Sequence, residues 1–478
     1  MRIASRCAII SGKCALSRQF RHLIPVRQSV NNEKKLFTKK QLWALLLPLM
    51  VEQVLNSFMG TADTIMVTSA GNAAISAVSL VDSLNVMMIL VFSALATGGA
   101  IICSQYIGSR DLEAANRAAG QLLLSVTSIS LVATLLCSVL RAPLLRLIFG
   151  SVDAEVMENA NIYMLITVLS FPFIALYNAG AALFRASGNS RISMRISLIA
   201  NIINIGGNAI LILGFHFGAA GAAIATLLSR GFSATLILWF LRRPKQTLCI
   251  RKYTEIRPDF RMIGTICRVG IPTGIENGMF QFGKLAIQST VSTLTTAQIA
   301  ANAMMATLEQ FCCNAAIGIG LGLMTVVGQY IGAGYKQEAK KMILRLARYS
   351  MVAITISCGL TLLLVRPLTK LSGMEAEAAA LTVQMANFVC LLQPLFWAPA
   401  FTLAYGMRAA GDVRFSMLLS SSTMWTCRVV IVIVLIRVFG FGPIAVWIGM
   451  VSDWFIRAIG FTWRFLSNRW MNKAVIKE

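Results

Sequence analysis

Charge is scarce in this 478-residue chain: 13% of its residues are Asp, Glu, Lys or Arg, against about 25% in a typical soluble domain. Apolar residues make up 57%, and the mean hydropathy is +0.72. That balance excludes a soluble globular enzyme and a disordered chain, and it places the protein in a membrane. Histidine is nearly absent; His22 and His216 cannot build a metal site. The chain has no GxxxxGK(S/T) loop, so it is not itself an ATP-driven machine, and it has neither HExxH nor GxSxG. An enzyme is not expected. The 11 cysteines include no CxxC pair and no metal-ligand spacing. Cys103, Cys137, Cys312, Cys313 and Cys358 therefore read as small apolar filler in helices, and neither a metal nor an organic cofactor is expected. Acids are the rarer sign, 19 against 43 Lys and Arg, for a net charge of +24. The basic residues lie in short runs between apolar stretches, which excludes a folded nucleic-acid-binding domain.

Long apolar runs are what the sequence does have. A span needs about 20 residues, and twelve runs qualify: 41–67, 74–105, 118–140, 154–182, 192–214, 219–241, 263–290, 297–331, 343–365, 377–405, 413–436 and 441–463. Breaks between them carry loop chemistry, as at Ser69-Ala70-Gly71-Asn72, Gly188-Asn189-Ser190 and the charged stretch from Arg242 to Arg261. With the N-terminus inside, 34 basic residues fall on cytosolic segments and five on external loops, so both termini are expected in the cytosol of a cell-membrane protein. Residues 1–32 are basic and free of acids. They resemble a transit peptide in composition, but a basic cytosolic tail is the preferred reading.

The chain repeats itself. A shift of 224 superposes Pro48 on Pro272, Glu52 on Glu276, and Gln105-Tyr106-Ile107-Gly108 on Gln329-Tyr330-Ile331-Gly332. A shift of 223 aligns Arg185-Ala186-Ser187-Gly188 with Arg408-Ala409-Ala410-Gly411, and Ser193 with Ser416. Six spans per repeat is an even number, so the halves enter the membrane in the same direction. The expected fold is an all-α membrane protein of twelve transmembrane helices in two parallel six-helix repeats around a central cavity. Its parts are a basic cytosolic tail (1–36), an N-terminal bundle (37–241), a cytosolic linker (242–262), a C-terminal bundle (263–463) and a cytosolic tail (464–478). Two bundles around a cavity are the architecture of alternating access, hence of a transporter.

Ionisable residues inside spans are costly and mark candidate sites. In the first span, Glu52, Asn56 and Asp63 fall on one face at helical spacing. Asp63 is matched by Ile287 in the second repeat, an asymmetry that suggests a task for one lobe. Glu52 recurs as Glu276, which suits packing or gating in both bundles as well as it suits a cavity role. The fifth span carries Asn201, Asn204 and Asn208 on one face, facing the acids of the first by expectation. The seventh has a stripe of Asn277, Gln281, Lys284 and Gln288. Lys284 could be a counter-ion to Asp63 or Glu276, a proton-linked switch or a fixed charge repelling dications; the first is preferred. Asp453 and Arg457 are four apart and can pair, with Arg428 sharing the acid, in a network expected to be structural. Asp82 stands alone on its helix as a candidate cavity residue. Met (23) and Phe (25) are abundant enough for a pliable apolar cavity, a weak signal in any membrane core.

Pro48-Leu49-Met50-Val51-Glu52-Gln53, followed by Ala62-Asp63-Thr64-Ile65-Met66-Val67, resembles the first-helix signature of the multidrug and toxic compound extrusion (MATE) family. The repeated Gln-Tyr-Ile-Gly and Arg-Ala-x-Gly segments are similar to that family too, and the resemblance runs from about Phe37 to about Trp463. It implies a twelve-helix antiporter exporting organic, often cationic compounds in exchange for protons or sodium ions. It further implies cation coupling at Asp63 with Asn204 and Asn208, although relatives often have Asp where this chain has Asn208. The helix-ten acid of sodium-type relatives is missing after Glu377, which leans slightly towards protons. Expected partners are small organic substrates and membrane lipid, with no nucleic acid, and the chain is expected to work as a monomer. A flippase of a lipid-linked oligosaccharide is the alternative within the same broad superfamily.

Overall fold

Twelve helices follow from those apolar runs. A computed structural model describes residues 36–68, 71–150 and 153–476; most of the basic N-terminal tail and part of the Ser69–Asn72 break lie outside them. The N-terminal repeat comprises α1 (Lys39–Thr68), α2 (Asn72–Gly108), α3 (Leu112–Phe149), α4 (Ala154–Leu169 and Phe171–Ala186), α5 (Ser190–Gly214) and α6 (Gly218–Leu241). The C-terminal repeat comprises α7 (Phe260–Val291), α8 (Thr296–Gly332), α9 (Lys336–Leu371), α10 (Ala376–Ala409), α11 (Val413–Arg437) and α12 (Ile444–Leu466). Among the described residues, 10 helices are long and apolar enough to span a bilayer, and α4 is an eleventh bent by 43°. The twelfth, α7, is 32 residues long but has Arg261, Arg268, Glu276 and Lys284, which depress its hydropathy. The protein is an all-α membrane protein of two six-helix repeats.

Local chemistry explains the irregularities. The α4 bend falls at Ser170, with Pro172 in the first turn of the second segment; the sequence had suggested one unbroken span. Pro399 lacks the N–H that an α-helix needs, and α10 widens to a π-turn over Ala398–Thr402. Similar π-turns follow Asn208 in α5 (Ala209–Gly214) and include Arg428 in α11 (Met424–Val429). Such turns re-aim side chains and are frequent at functional sites.

The two repeats join through α2 on α7, α8 on α1 and α8 on α2. Small residues make the approach possible, as in membrane helix pairs generally. A Cβ on Gly98 would meet Gly270 N at 2.8 Å, and one on Gly318 would meet the Met50 backbone at 2.7 Å. The tightest contact lies at the end of α2 and α8 that carries the Gln-Tyr-Ile-Gly motifs. A Cβ on Gly108 would collide with the carbonyl oxygen of Gln329, and one on Gly332 with the carbonyl oxygen of Gln105. The same glutamines reach across the joint. Gln105 Nε2 donates to Ala409 O (2.9 Å) and Gln329 Nε2 to Ala186 O (2.8 Å). Thus each motif glutamine caps the Arg-Ala-x-Gly turn of the opposite repeat, and the molecule is closed at this end. The C-terminal segment lies over one half of the joint, where Val475 N (3.1 Å) and Ile476 N (3.3 Å) donate to Gln105 Oε1.

Candidate functional site

The polar stripe of α1 runs along α5. Ser193 Oγ donates to Glu52 Oε2 (3.1 Å), Ser197 Oγ to Asn56 Oδ1 (3.1 Å) and Asn208 Nδ2 to Asp63 Oδ1 (2.8 Å). Asn204 does not bond Asp63 itself. It donates through Nδ2 to Thr226 Oγ1 (3.3 Å) and accepts from Asn208 Nδ2 (3.5 Å). Asn201 is buried, and its Nδ2 has no hydrogen-bond partner among the described residues. Asp63, Asn208 and Thr226 line a cavity of about 190 Å³ of mixed polar and apolar lining, with Ser79 and Asp82 on its polar side and Val67, Ile75 and Val78 on its apolar side.

Asp82 is thus not a solitary wall residue. It shares the cavity of Asp63, and its Oδ1 accepts from Tyr163 Oη (3.0 Å) and Asn85 Nδ2 (3.1 Å). Arg230 of α6 is the cation acting on both aspartates, and its Nη1 donates to Ser170 Oγ (2.7 Å) at the α4 bend. Arg230 falls inside the sixth apolar run, 219–241. Two carboxylates against one guanidinium leave the cluster one negative charge in excess when both acids are ionised. Asn208 Oδ1 is buried without a hydrogen-bond partner among the described residues, so the pocket also holds a free carbonyl-type acceptor.

Glu52 and Glu276 occupy equivalent nests. Glu52 (4% exposed) has Ser193 and Arg185 for neighbours; Glu276 (7% exposed) has Ser416 Oγ at 3.4 Å and Arg408 Nη2 at 3.7 Å. The partners are themselves a repeated pair, since Arg185 and Ser193 align with Arg408 and Ser416. Each arginine belongs to the turn that caps the joint between lobes, so both glutamates support that joint.

The C-terminal lobe has its own charged cluster, of opposite sign. Phe280 of α7 is ringed by Lys284 Nζ (5.5 Å), Arg428 (5.4 Å) and Arg457 (5.4 Å), measured to the ring centroid. The charged groups acting on Lys284 are Arg428 and Glu309, while Glu276 is engaged by Arg408 and Asp63 by Asn208. The structure therefore corrects the preferred pairing of Lys284: among the described residues it forms no ion pair with Asp63 or Glu276, and the acid whose charge acts on it, without forming an ion pair, is Glu309 of α8, which the sequence reading passed over. Glu309 Oε1 accepts from Cys313 Sγ (3.0 Å), and Cys313 Sγ accepts from Gln393 Nε2 (3.0 Å). Gln281 directly follows Phe280 and lies about one turn before Lys284 on α7, half-buried.

Asp453 and Arg457 form the expected buried pair. Nε and Oδ1 are 2.7 Å apart, and Arg457 also donates to Thr423 Oγ1 (3.1 Å) and Ser420 O (2.9 Å). Asp453 also acts on Arg428. Asp453→Ala is expected to destabilise the protein by about 3–5 kcal/mol, because it strands a buried guanidinium. The paired change Asp453→Leu with Arg457→Met should recover most of that loss. Thermal melts of the purified variants compare the two, and equal losses in both would mean that packing rather than charge sets the effect.

Two six-helix repeats joined at one end thus hold an acidic pocket in one lobe and a cationic cluster in the other, and similarity to known proteins identifies the class of membrane transporter to which they belong. The MatE family model matches residues 48–210 and 272–434, one copy in each repeat. The chain belongs to the multidrug and toxic compound extrusion (MATE) family. It is 26% identical over 446 residues to the probable multidrug resistance protein NorM of Thermotoga maritima, covering 92% of this chain and 94% of that one. It is 24% identical over 317 residues to the multidrug export protein MepA of Staphylococcus haemolyticus, covering 65% and 69%. A structure described as an outward-facing conformation of a multidrug resistance MATE family transporter superposes with a TM-score of 0.82 at 20% identity, over 90% of this chain and 96% of that one. A MOP superfamily transporter from Pyrococcus furiosus, described as having a binding pocket of reversed polarity, gives 0.82 at 20% over the same shares.

Proposed function

We propose that this chain is a secondary active antiporter that exports organic compounds from the cytosol in exchange for protons or sodium ions by alternating access. The observation that carries the reading is the acidic N-terminal pocket, in which Asp63 and Asp82 outnumber Arg230 and one coupling cation restores neutrality. Names of relatives such as the multidrug export protein MepA support export of organic compounds. An apolar cavity of about 510 Å³ where α2, α3 and α7 meet suits such a cargo. It is lined by Met87, Val91, Leu95, Ile275, Met279 and Phe282. Closure at the Gln-Tyr-Ile-Gly end supports reading this arrangement as outward-facing, with that end and both termini in the cytosol of a multi-pass cell-membrane protein.

Coupling follows from charge. With the cation bound, Asp63 no longer needs the Asn208 amide, so α1 is free to move along α5 and the cargo site weakens. In this reading the charges of Lys284 and Glu309 in the C-terminal lobe influence which charged groups the cargo can carry. Lys284→Ala is expected to lower export about tenfold, a change worth about 1.4 kcal/mol, and Lys284→Arg to keep most of it. Equal inactivity of Arg and Ala would favour a protonation switch at this position over a charge pair with Glu309. The function is tested in liposomes with proton and sodium gradients imposed separately. Cargo-dependent collapse of one gradient supports antiport. Movement of a labelled lipid-linked sugar without cargo would instead mark a flippase.

A further inference from the structure

Folding brings together what the sequence keeps apart. Cys312 of α8, Cys358 of α9 and Cys390 of α10 converge in the C-terminal lobe with all three Sγ atoms within 4.8 Å of one another. They are 0%, 2% and 4% exposed, and are not bonded as disulfides. The reading of Cys312 and Cys358 as small apolar filler does not account for this convergence with Cys390, which no local spacing signals. The repeat argues against a packing requirement for thiols as well, since the 224-residue shift places Met88 and Thr134 opposite Cys312 and Cys358.

We infer that Cys312, Cys358 and Cys390 form a three-thiol binding site for a trivalent thiophilic metalloid, the class of arsenous and antimonous acid. Geometry and charge both lead there. A pyramidal three-coordinate centre with bonds of about 2.3 Å to sulfur holds its sulfurs about 3.5 Å apart, so closing the site takes shifts of about 1 Å or less per sulfur. Soft sulfur ligands select soft acceptors. Charge then separates the candidates. Three thiolates around Cu(I) carry two net negative charges, and around Zn(II) one, which is costly in an apolar interior without compensation. The polar neighbours are neutral: Thr361 Oγ1 lies 3.1 Å from Cys312 Sγ, and Gln393 Oε1 accepts from Cys358 Sγ at 3.5 Å. The adjoining Cys313 bonds Glu309, an acid that would repel an anionic complex. With As(OH)3 the ledger is neutral throughout. Three S–H and three As–O bonds break, and three As–S bonds form. Each thiol proton leaves with a hydroxide as water, giving As(S-Cys)3 and three waters with no change of oxidation state. The incoming acid is itself small and uncharged, as entry into a helix bundle requires.

The test uses the purified full-length protein titrated with sodium arsenite, with bound arsenic read by intact-protein mass spectrometry. Alkylation is then mapped residue by residue with and without arsenite. The expected result is one arsenic bound with loss of three hydrogens, and protection of Cys312, Cys358 and Cys390 but not Cys267 or Cys427. Each of Cys312→Ala, Cys358→Ala and Cys390→Ala should weaken binding at least tenfold, whereas Cys267→Ala should leave it unchanged. Arsenite should also raise the melting temperature of the wild type, because the three thiols meet only in the folded state. The protection map needs no variant, so it decides the matter even if a substitution misfolds. Arsenic on other cysteines, tight Cu(I) binding in the absence of arsenite binding, or a disulfide between two of the three in the isolated protein would each overturn the assignment. None of these readouts depends on transport.

Discussion

Asp63→Asn is expected to reduce gradient-driven export to the level of empty vesicles while leaving insertion and folding intact. The amide is nearly the shape of the carboxylate and can still meet Asn208, so the α1–α5 contact survives. A neutral amide is also cheaper than a carboxylate inside a span. What is lost is the excess negative charge. With Asp82 alone against Arg230, the cavity is already neutral and has no electrostatic reason to take up a cation. Asp82→Asn should therefore impair coupling too, although its carboxylate is already supplied with hydrogen bonds by Tyr163 and Asn85. The measurement is cargo efflux together with gradient dissipation, at matched protein per liposome. Normal export with unchanged ion dependence in Asp63→Asn would make this aspartate structural and move the coupling site elsewhere.

Gly332→Val is expected to be the second most damaging change, for a mechanical reason. A side chain at Gly332 runs into the backbone carbonyl of Gln105, and backbone cannot rotate away as a side-chain tip can. Overpacking of this kind costs about 3 kcal/mol, and such a penalty depletes the closed arrangement roughly a hundredfold. Export should fall with it. Spin labels at Ser109 and Ala333, which follow the two motifs, should report a longer distance than in the parent protein. Gly206→Val is the control, because a Cβ there meets nothing within 4 Å. An unchanged distance in Gly332→Val would show that the joint has slack the geometry does not reveal.

The fold was readable in the sequence because a bilayer imposes a simple rule, and twelve apolar runs obey it. Even α7, diluted by Lys284 and Glu276, declared itself through a one-faced polar stripe. The repeat went further. It anticipated that Glu52 and Glu276 have equivalent surroundings, and the same register supplies Ser193 with Ser416 and Arg185 with Arg408. Helix breaks were harder. The α4 bend at Ser170 depends on a proline two residues later, and hydropathy alone runs straight through it. Site membership was the least readable. Asp82 looked solitary because its companions come from α1, α4 and α6, and Glu309 was missed as a single acid in a long apolar helix. The signal for both was available, since an ionisable residue deep in a span asks for a partner. Naming that partner required the tertiary structure. The three converging cysteines are the extreme case, because helices α8, α9 and α10 contribute one each.

The joint between the lobes is nearly two-fold symmetric, but its two halves are not held by the same number of bonds. Among the described residues, Gln329 holds the opposite turn through Ala186 O. Gln105 holds Ala409 O and in addition receives the backbone N–H groups of Val475 and Ile476, while the Lys473 carbonyl presses against Gly411. Separating the Gln105 side breaks the bonds to Val475 and Ile476 as well as the one to Ala409, an extra hold with no counterpart at Gln329 among the described residues. Of the two clasps on this joint, the one at Gln105 is therefore the more firmly fastened.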